Sequence, residues 1–255
     1  YTTLFRSYIV GEVWSDCVQW LDGTQFDGVM NYLFTGPTIA FTAGDRVDID
    51  LVKGCDYSAY PAISAVEYGQ KMQELLQLYP WEIELTQLNL LDSHDTARVL
   101  SIAQGDKASV ELATLLLMTF PGAPSIYYGD EVGLPGKLDP DSRRGFPTTE
   151  KWDTQVLEYH KKLIAIRNQY SALRTGIYEV LFAEGNIYVF ARILGNEEII
   201  VAINSGIEAA KVNVSVTQLN SQPSKIVYGS CEISWQEEST QLELNLLPRK
   251  GCILV

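Results

Sequence analysis

The sequence predicts an α/β unit of parallel strands covered by helices, followed by a small antiparallel β domain. Short apolar runs, each leading into a polar or helical stretch, recur four times before Tyr170, the pattern of parallel strands with crossover helices. From Ile177 onward the texture changes to short runs of Val, Ile, Tyr and Phe separated by Gly, Asn, Ser and Pro, as in antiparallel sheets. The 255 residues, 46% hydrophobic and 20% charged, suffice for one large or two smaller buried cores.

In chain order, Tyr8-Ile9-Val10 reads as a buried strand stopping at Gly11-Glu12, and Phe26 to Tyr32 as a second, with one or two helical turns over Ser15 to Leu21 between them. Tyr68, Met72, Leu75, Leu76 and Tyr79 fall on one helical face that Pro80 closes. Gln87 to Leu91 is a third strand, Val110 to Met118 a buried helix, and Pro124 to Tyr128 a fourth strand. An amphipathic helix runs from about Asp153 to Tyr170, carried by Leu157, Leu163, Ile164 and Ile166. The β domain takes its strands from Ile187 to Ile193, Glu198 to Ile203, Lys211 to Val216, Lys225 to Tyr228, Leu242 to Leu246 and Cys252 to Val255. The boundaries that follow are 1–172 for the α/β unit and 176–255 for the β domain.

Composition narrows the function. Nineteen Lys and Arg against 32 Asp and Glu give a net charge of −13, which repels polyanions and excludes nucleic acid as a partner. No run approaches the roughly 18 apolar residues of a membrane span, and the first twenty residues lack the basic-then-apolar order of a secretion signal. Cys17, Cys55, Cys231 and Cys252 show no short spacing and only His94 and His160 are present, so no metal site and no cofactor are expected. Scattered thiols suit a cytoplasmic bacterial protein. The chain opens at Tyr1 without Met, already close to an apolar run, and reads as the later part of a longer polypeptide.

Three polar clusters follow apolar strands: Gly11-Glu12-Val13-Trp14, Ser93-His94-Asp95-Thr96 and Tyr127-Tyr128-Gly129-Asp130-Glu131. The carboxyl ends of parallel strands face one cavity, so residues there are aimed at a common site. Taken singly, Glu12 reads as a solvated loop carboxylate, His94 as a satisfied imidazole, and Asp130 with Glu131 as a capping pair. Their coincidence favours a site.

These same segments, Tyr8 to Trp14, Phe26 to Tyr32, Leu88 to Thr96 and Pro121 to Gly133, resemble in order and spacing the second half of the α-amylase family of glycoside hydrolases. The nearest resemblance is to its neopullulanase, cyclomaltodextrinase and maltogenic amylase group, and Asp139-Pro-Asp-Ser-Arg143 matches that group's DPxxR segment. The resemblance implies the second half of a (β/α)8 TIM barrel, strands 5 to 8, followed by an antiparallel β-sandwich. It implies retaining hydrolysis of α-glucosidic bonds, α-1,4 or α-1,6, in maltodextrin, cyclodextrin or pullulan. One carboxylic acid protonates the leaving oxygen, and a carboxylate about 5 Å away attacks the anomeric carbon. Glu12 falls on the acid and Asp95 on the third carboxylate, which grips sugar hydroxyls. A Glu beside Trp14 in a partly apolar site is expected to keep its proton through desolvation. The resemblance also implies that His94, Asp139 and Arg143 bind sugar and that Trp14 and Tyr32 offer ring faces to it.

One departure is large. The family's nucleophile is an Asp in a GxRxDxA segment, which this sequence lacks; Arg6-Ser7-Tyr8 and Arg98-Val99 do not replace it. Double displacement needs both carboxylates, so the chain is expected to be inactive by itself and to need the missing N-terminal half of the barrel. The open edges of a half barrel also invite self-association. The competing reading is a catalytically dead glucan-binding or regulatory module.

Overall fold

The computed structural model describes residues 7–235 and 240–255; Arg6, weighed above, lies outside them. Among the described residues four short parallel strands, β1 (Val10–Gly11), β2 (Gly28–Asn31), β3 (Leu88–Asn89) and β4 (Ala123–Pro124), form one sheet in chain order. The fourth strand, expected over Pro124 to Tyr128, is instead Ala123–Pro124 and shares only Pro124 with that expectation, and the turn expected between the first two is a 3₁₀ turn at Val18–Trp20. Gly28 is where β2 needs a missing side chain, because a Cβ there would lie 2.4 Å from the Thr86 carbonyl. Buried amides stitch the strands: Asn31 Nδ2 donates to Asn89 Oδ1 (2.8 Å), and Asn89 Nδ2 to the Pro121 carbonyl (2.6 Å).

The long helices are α1 (Tyr32–Ala43), α2 (Ala65–Leu75), α3 (Lys107–Thr119) and α4 (Thr154–Gln169). Helix α2 starts on a capping box, Ser64 with Glu67, and buries Tyr68, Met72 and Leu75, the face the spacing predicts. Asp153 caps α4, accepting from the Gln155 and Val156 amides. Helix α1 was not evident from periodicity, because it is buried on nearly all sides. Its threonines hide their hydroxyls by bonding carbonyls, Thr42 to Thr38 (2.7 Å) and Thr35 to Leu90 (2.8 Å).

The β domain adds β5 (Ile177–Glu184), β6 (Ile187–Leu194), β7 (Glu197–Asn204), β8 (Ala210–Ser215), β9 (Ile226–Gly229), β10 (Cys231–Trp235), β11 (Gln241–Leu246) and β12 (Lys250–Leu254). Strands β5 and β10 were missing from the sequence reading. One sheet runs β5-β6-β7-β12-β9 and the other β10-β11-β8, with antiparallel neighbours throughout. The central strands β6, β7 and β12 of the five-stranded sheet are buried on both faces. Val189, Ile200 and Ala202 meet Val214, Leu242 and Leu244 of the second sheet, while Tyr188, Phe190, Ile199 and Val201 join the helical core around Tyr68 and Leu115. Fully buried Arg192 ties the two units, donating to the carbonyls of Thr119, Leu173 and Gly176. No helix among the described residues is long and apolar enough to cross a membrane.

Candidate active site

The carboxyl ends of β1 and β3 bring Glu12, His94 and Asp95 together: one ligand atom of each lies within 4.8 Å of the others. Glu12 and Asp95 are exposed and His94 is half-buried. His94 Nε2 is 3.3 Å from Asp95 Oδ1, and Arg143 donates from Nη2 to that same oxygen at 2.9 Å. Arg143 also donates from Nε to Asp139 Oδ1 at 2.6 Å. The four sequence-predicted polar groups around Asp95 are therefore one constellation. The same Glu-His-Asp set has the spacing of metal ligands, but the Arg143 guanidinium already puts a cation on Asp95, which disfavours a second one there.

The loop that carries Asp95 is held from within. Ser93 donates its amide to Thr96 Oγ1 (2.9 Å), Asp95 donates its amide to Ser93 Oγ (3.2 Å), and the Ser93 and Tyr32 hydroxyls share a 2.8 Å hydrogen bond. Burial and then the charges of Glu12, Asp95 and Asp92 push the Tyr32 phenol up to about 12 against the Ser93 hydrogen bond, so it stays a neutral hydroxyl. Trp14 stacks flat on the Tyr32 ring, 3.7 Å between centroids and 3° between planes, with Tyr57 alongside. Tyr32 was expected to offer its face to sugar. It is 1% exposed, and the face it has is covered by Trp14, so it supports the tryptophan instead. A cavity of about 390 Å³ opens beside Trp14, lined among others by Asp16, Tyr57, Lys71 and Glu74.

Behind the exposed groups lies a buried set that sequence reasoning passed over. Arg98, 0% exposed, donates from Nη1 to Asp130 Oδ1 (3.0 Å) and the Tyr128 carbonyl (2.7 Å), and from Nε to the Ser142 carbonyl (2.9 Å). Asp130 is thus a partner of Arg98 and not a helix cap; Glu131 is the residue that folds back, accepting from the Gly129 amide at 2.7 Å. Burial, reinforced by the Asp92 carboxyl, raises Asp130 well above the carboxylate range, and burial raises Asp92 as well. The Arg98 guanidinium opposes that rise at both carboxyls.

The apolar enclosure expected for Glu12 is not built by the described residues, where its side chain is exposed. Nor does a substitute nucleophile appear among the described residues. Gly44-Asp-Arg-Val-Asp-Ile-Asp50 comes within one residue type of the GxRxDxA pattern, but it follows the end of α1. There Asp48 caps the short helix Ile49–Val52 and Arg46 pairs with Asp106 (3.5 Å).

Comparison with known proteins bears on this geometry. Residues 3–151 match the family described as the alpha amylase catalytic domain, and residues 176–254 the alpha-amylase C-terminal domain. A cyclomaltodextrinase of Geobacillus thermopakistaniensis (strain MAS1) is 38% identical over 212 residues, 82% of this chain and 33% of the relative. Neopullulanase 2 of Thermoactinomyces vulgaris is 35% identical over 255 residues, 96% of this chain and 40% of the relative. The native form of a Nostoc punctiforme debranching enzyme superposes with a TM-score of 0.96 at 62% identity, over 99% of this chain and 53% of that one. The chain spans 33% to 40% of the length of these two curated relatives and about half of the solved structure.

Proposed function

Because this chain belongs to the α-amylase family of glycoside hydrolases, we propose that it is the later part of a retaining α-glucan hydrolase. In this reading residues 1–172 supply strands 5 to 8 of a (β/α)8 barrel, and residues 176–255 form the β-sandwich that follows it. Four parallel strands in chain order, with β1 and β4 as the outer strands among the described residues, support it. The substrate is an α-1,4- or α-1,6-linked glucan such as maltodextrin, cyclodextrin or pullulan, as the printed names of the relatives suggest. Unpaired thiols at all four cysteines fit a reducing cytoplasm.

The observation that carries the proposal is the meeting of Glu12, His94 and Asp95 within 4.8 Å at strand ends, with Arg143 seated on Asp95. Glu12 donates its proton to the glycosidic oxygen as the bond to the anomeric carbon breaks. Asp95 accepts hydrogen bonds from ring hydroxyls of the distorted sugar, and His94 donates beside it. Arg143 orients Asp95 and, with Asp139, borders the neighbouring glucose unit. Trp14, held rigid on Tyr32, presents its other surface to sugar. The attacking carboxylate comes from the other half of the barrel, which also closes over Glu12 and against the outer strands.

The test is reducing-sugar release from the three glucans. The full-length protein carrying this chain is expected to be active and the isolated chain inactive, with activity returning when the upstream half is co-expressed. A full-length protein that binds glucan without turnover would favour the regulatory-module reading. Turnover by the isolated chain, lost in Glu12→Gln, would overturn the shared-site reading.

A further inference from the structure

We propose that Arg98, fully buried behind the exposed site groups, is the positioning residue that holds Arg143 on Asp95; this rests on the site reading above. The bonds form a continuous path. Arg98 Nε reaches the Ser142 carbonyl at 2.9 Å, the peptide group that leads directly into Arg143. The Ser142 hydroxyl donates to the His94 carbonyl at 3.2 Å, fastening the same residue to the other loop of the site. Arg143 then spans from Asp139 to Asp95.

The guanidinium is fixed further through Nη1 and its flat faces, while Nη2 is buried without a partner among the described residues. Nη1 bonds the Tyr128 carbonyl and Asp130, the guanidinium carbon sits 4.3 Å from the Tyr127 ring centroid and 4.9 Å from that of Tyr128, and the Arg98 amide donates to the Gly136 carbonyl at 2.9 Å. One planar group therefore joins the loop after β3, the loop after β4 and the Asp139–Arg143 segment. Space confirms that the fit is close: a Cβ on Gly136 would come within 3.1 Å of Arg98 Cδ, and one on Gly129 within 3.3 Å of Nη1. Only a fork can serve two directions at once. A lysine at this place keeps the charge for Asp130 but reaches a single carbonyl and loses the flat contact with the tyrosine rings.

The experiment is a double-mutant cycle in the full-length protein with Arg98→Lys, Arg143→Ala and the pair, reading KM and kcat on maltodextrin beside the melting temperature. A residue that acts by holding Asp95, which grips the distorted sugar, lowers kcat with little change in KM. Each single change is expected to lower kcat by about 10-fold, and the pair by no more than either single, because both remove the same contact. A pair whose effects multiply, or a rise in KM at unchanged kcat, overturns the inference while leaving the site reading in place. If Arg98→Lys does not fold, Ser142→Gly, which removes only the hydroxyl that fastens this buried residue to the His94 carbonyl, loosens the same carbonyl and is held to the same non-additivity with Arg143→Ala. A wild-type protein that neither binds nor cleaves maltodextrin overturns the site reading and this inference with it.

Discussion

The parallel and antiparallel units solve opposite problems with the same backbone. In the first, strands last two to four residues and then release the chain into long connections, such as the one from Asn31 to Leu88 that holds α1 and α2. In the second, β5, β6 and β7 each run eight residues and turn back within two, with Gly185 and Gly195 at positive φ of 55° and 59°. The long strands β6 and β7 bury both faces; the short ones deliver Glu12, His94 and Asp95 to one rim. Stability and chemistry are thus separated in space, and substitutions in the two units should fail in different ways.

The largest expected effect is at Glu12. In the full-length protein Glu12→Gln keeps the size and loses the transferable proton, so maltodextrin hydrolysis should fall by about 10²- to 10⁴-fold. Because Gln preserves the shape and volume of the side chain, the melting temperature should move by under about 2 °C. Asp95→Asn should slow every substrate alike, because gripping hydroxyls does not depend on the leaving group. A glycosyl fluoride, which needs no protonation to leave, should be spared in Glu12→Gln only. Equal slowing of maltodextrin and fluoride by Glu12→Gln would remove the acid from this residue.

The complementary change is Leu244→Ala, between the two sheets, where the side chain is 0% exposed. It should cost about 2 to 5 kcal/mol of stability through lost contacts and a residual cavity, seen as a lower urea midpoint, with kcat and KM unchanged below the transition. A rise in KM of the full-length variant would show that the sandwich reports to the site, and the separation would fail.

What the sequence made legible follows the same division. Glu12, His94 and Asp95 stood out because each follows an apolar run, a signal carried by neighbours in the chain. Arg98 did not, since its meaning comes from the Tyr128 and Ser142 carbonyls, 30 and 44 residues away. Asp130 looked like a cap for the same reason, and Tyr32 like a platform, because sequence does not show that Trp14 lies on it. Helix α1 escaped because burial all round erases the amphipathic period and Pro37 interrupts its propensity. Strand β10 escaped because Glu232 and Ser234 face outward and dilute its short apolar run.

The smallest expected effect sharpens the comparison through two buried carboxyls with opposite surroundings. Glu84, 1% exposed, sits in the parallel unit before β3 and accepts from the Tyr79 amide at 3.2 Å; burial outweighs that bond and pushes it up to about 8. Glu198, 5% exposed in β7, is also penalised by burial, but the amides of Asn220 and Ser221, the Ser221 hydroxyl and the Asn220 side chain hold it below its usual value. The signs then differ. A raised Glu84 binds its proton more tightly folded than unfolded, so its contribution is fully present below about 4.5 and is lost as pH rises toward about 8. Glu198 contributes above the ordinary carboxylate range and loses that contribution as pH falls through its lowered value. Replacing each by Gln removes the titration. Against wild type, Glu84→Gln should therefore gain stability as pH rises from 4.5 to 8, by about 1 to 2 kcal/mol after allowing for relaxation around a buried group. Glu198→Gln should show its full deficit at pH 7 and a smaller one in acid. Urea midpoints of both variants and wild type across pH 4 to 8 check this, and parallel pH profiles for the two variants would mean that local hydrogen bonding does not distinguish the two units.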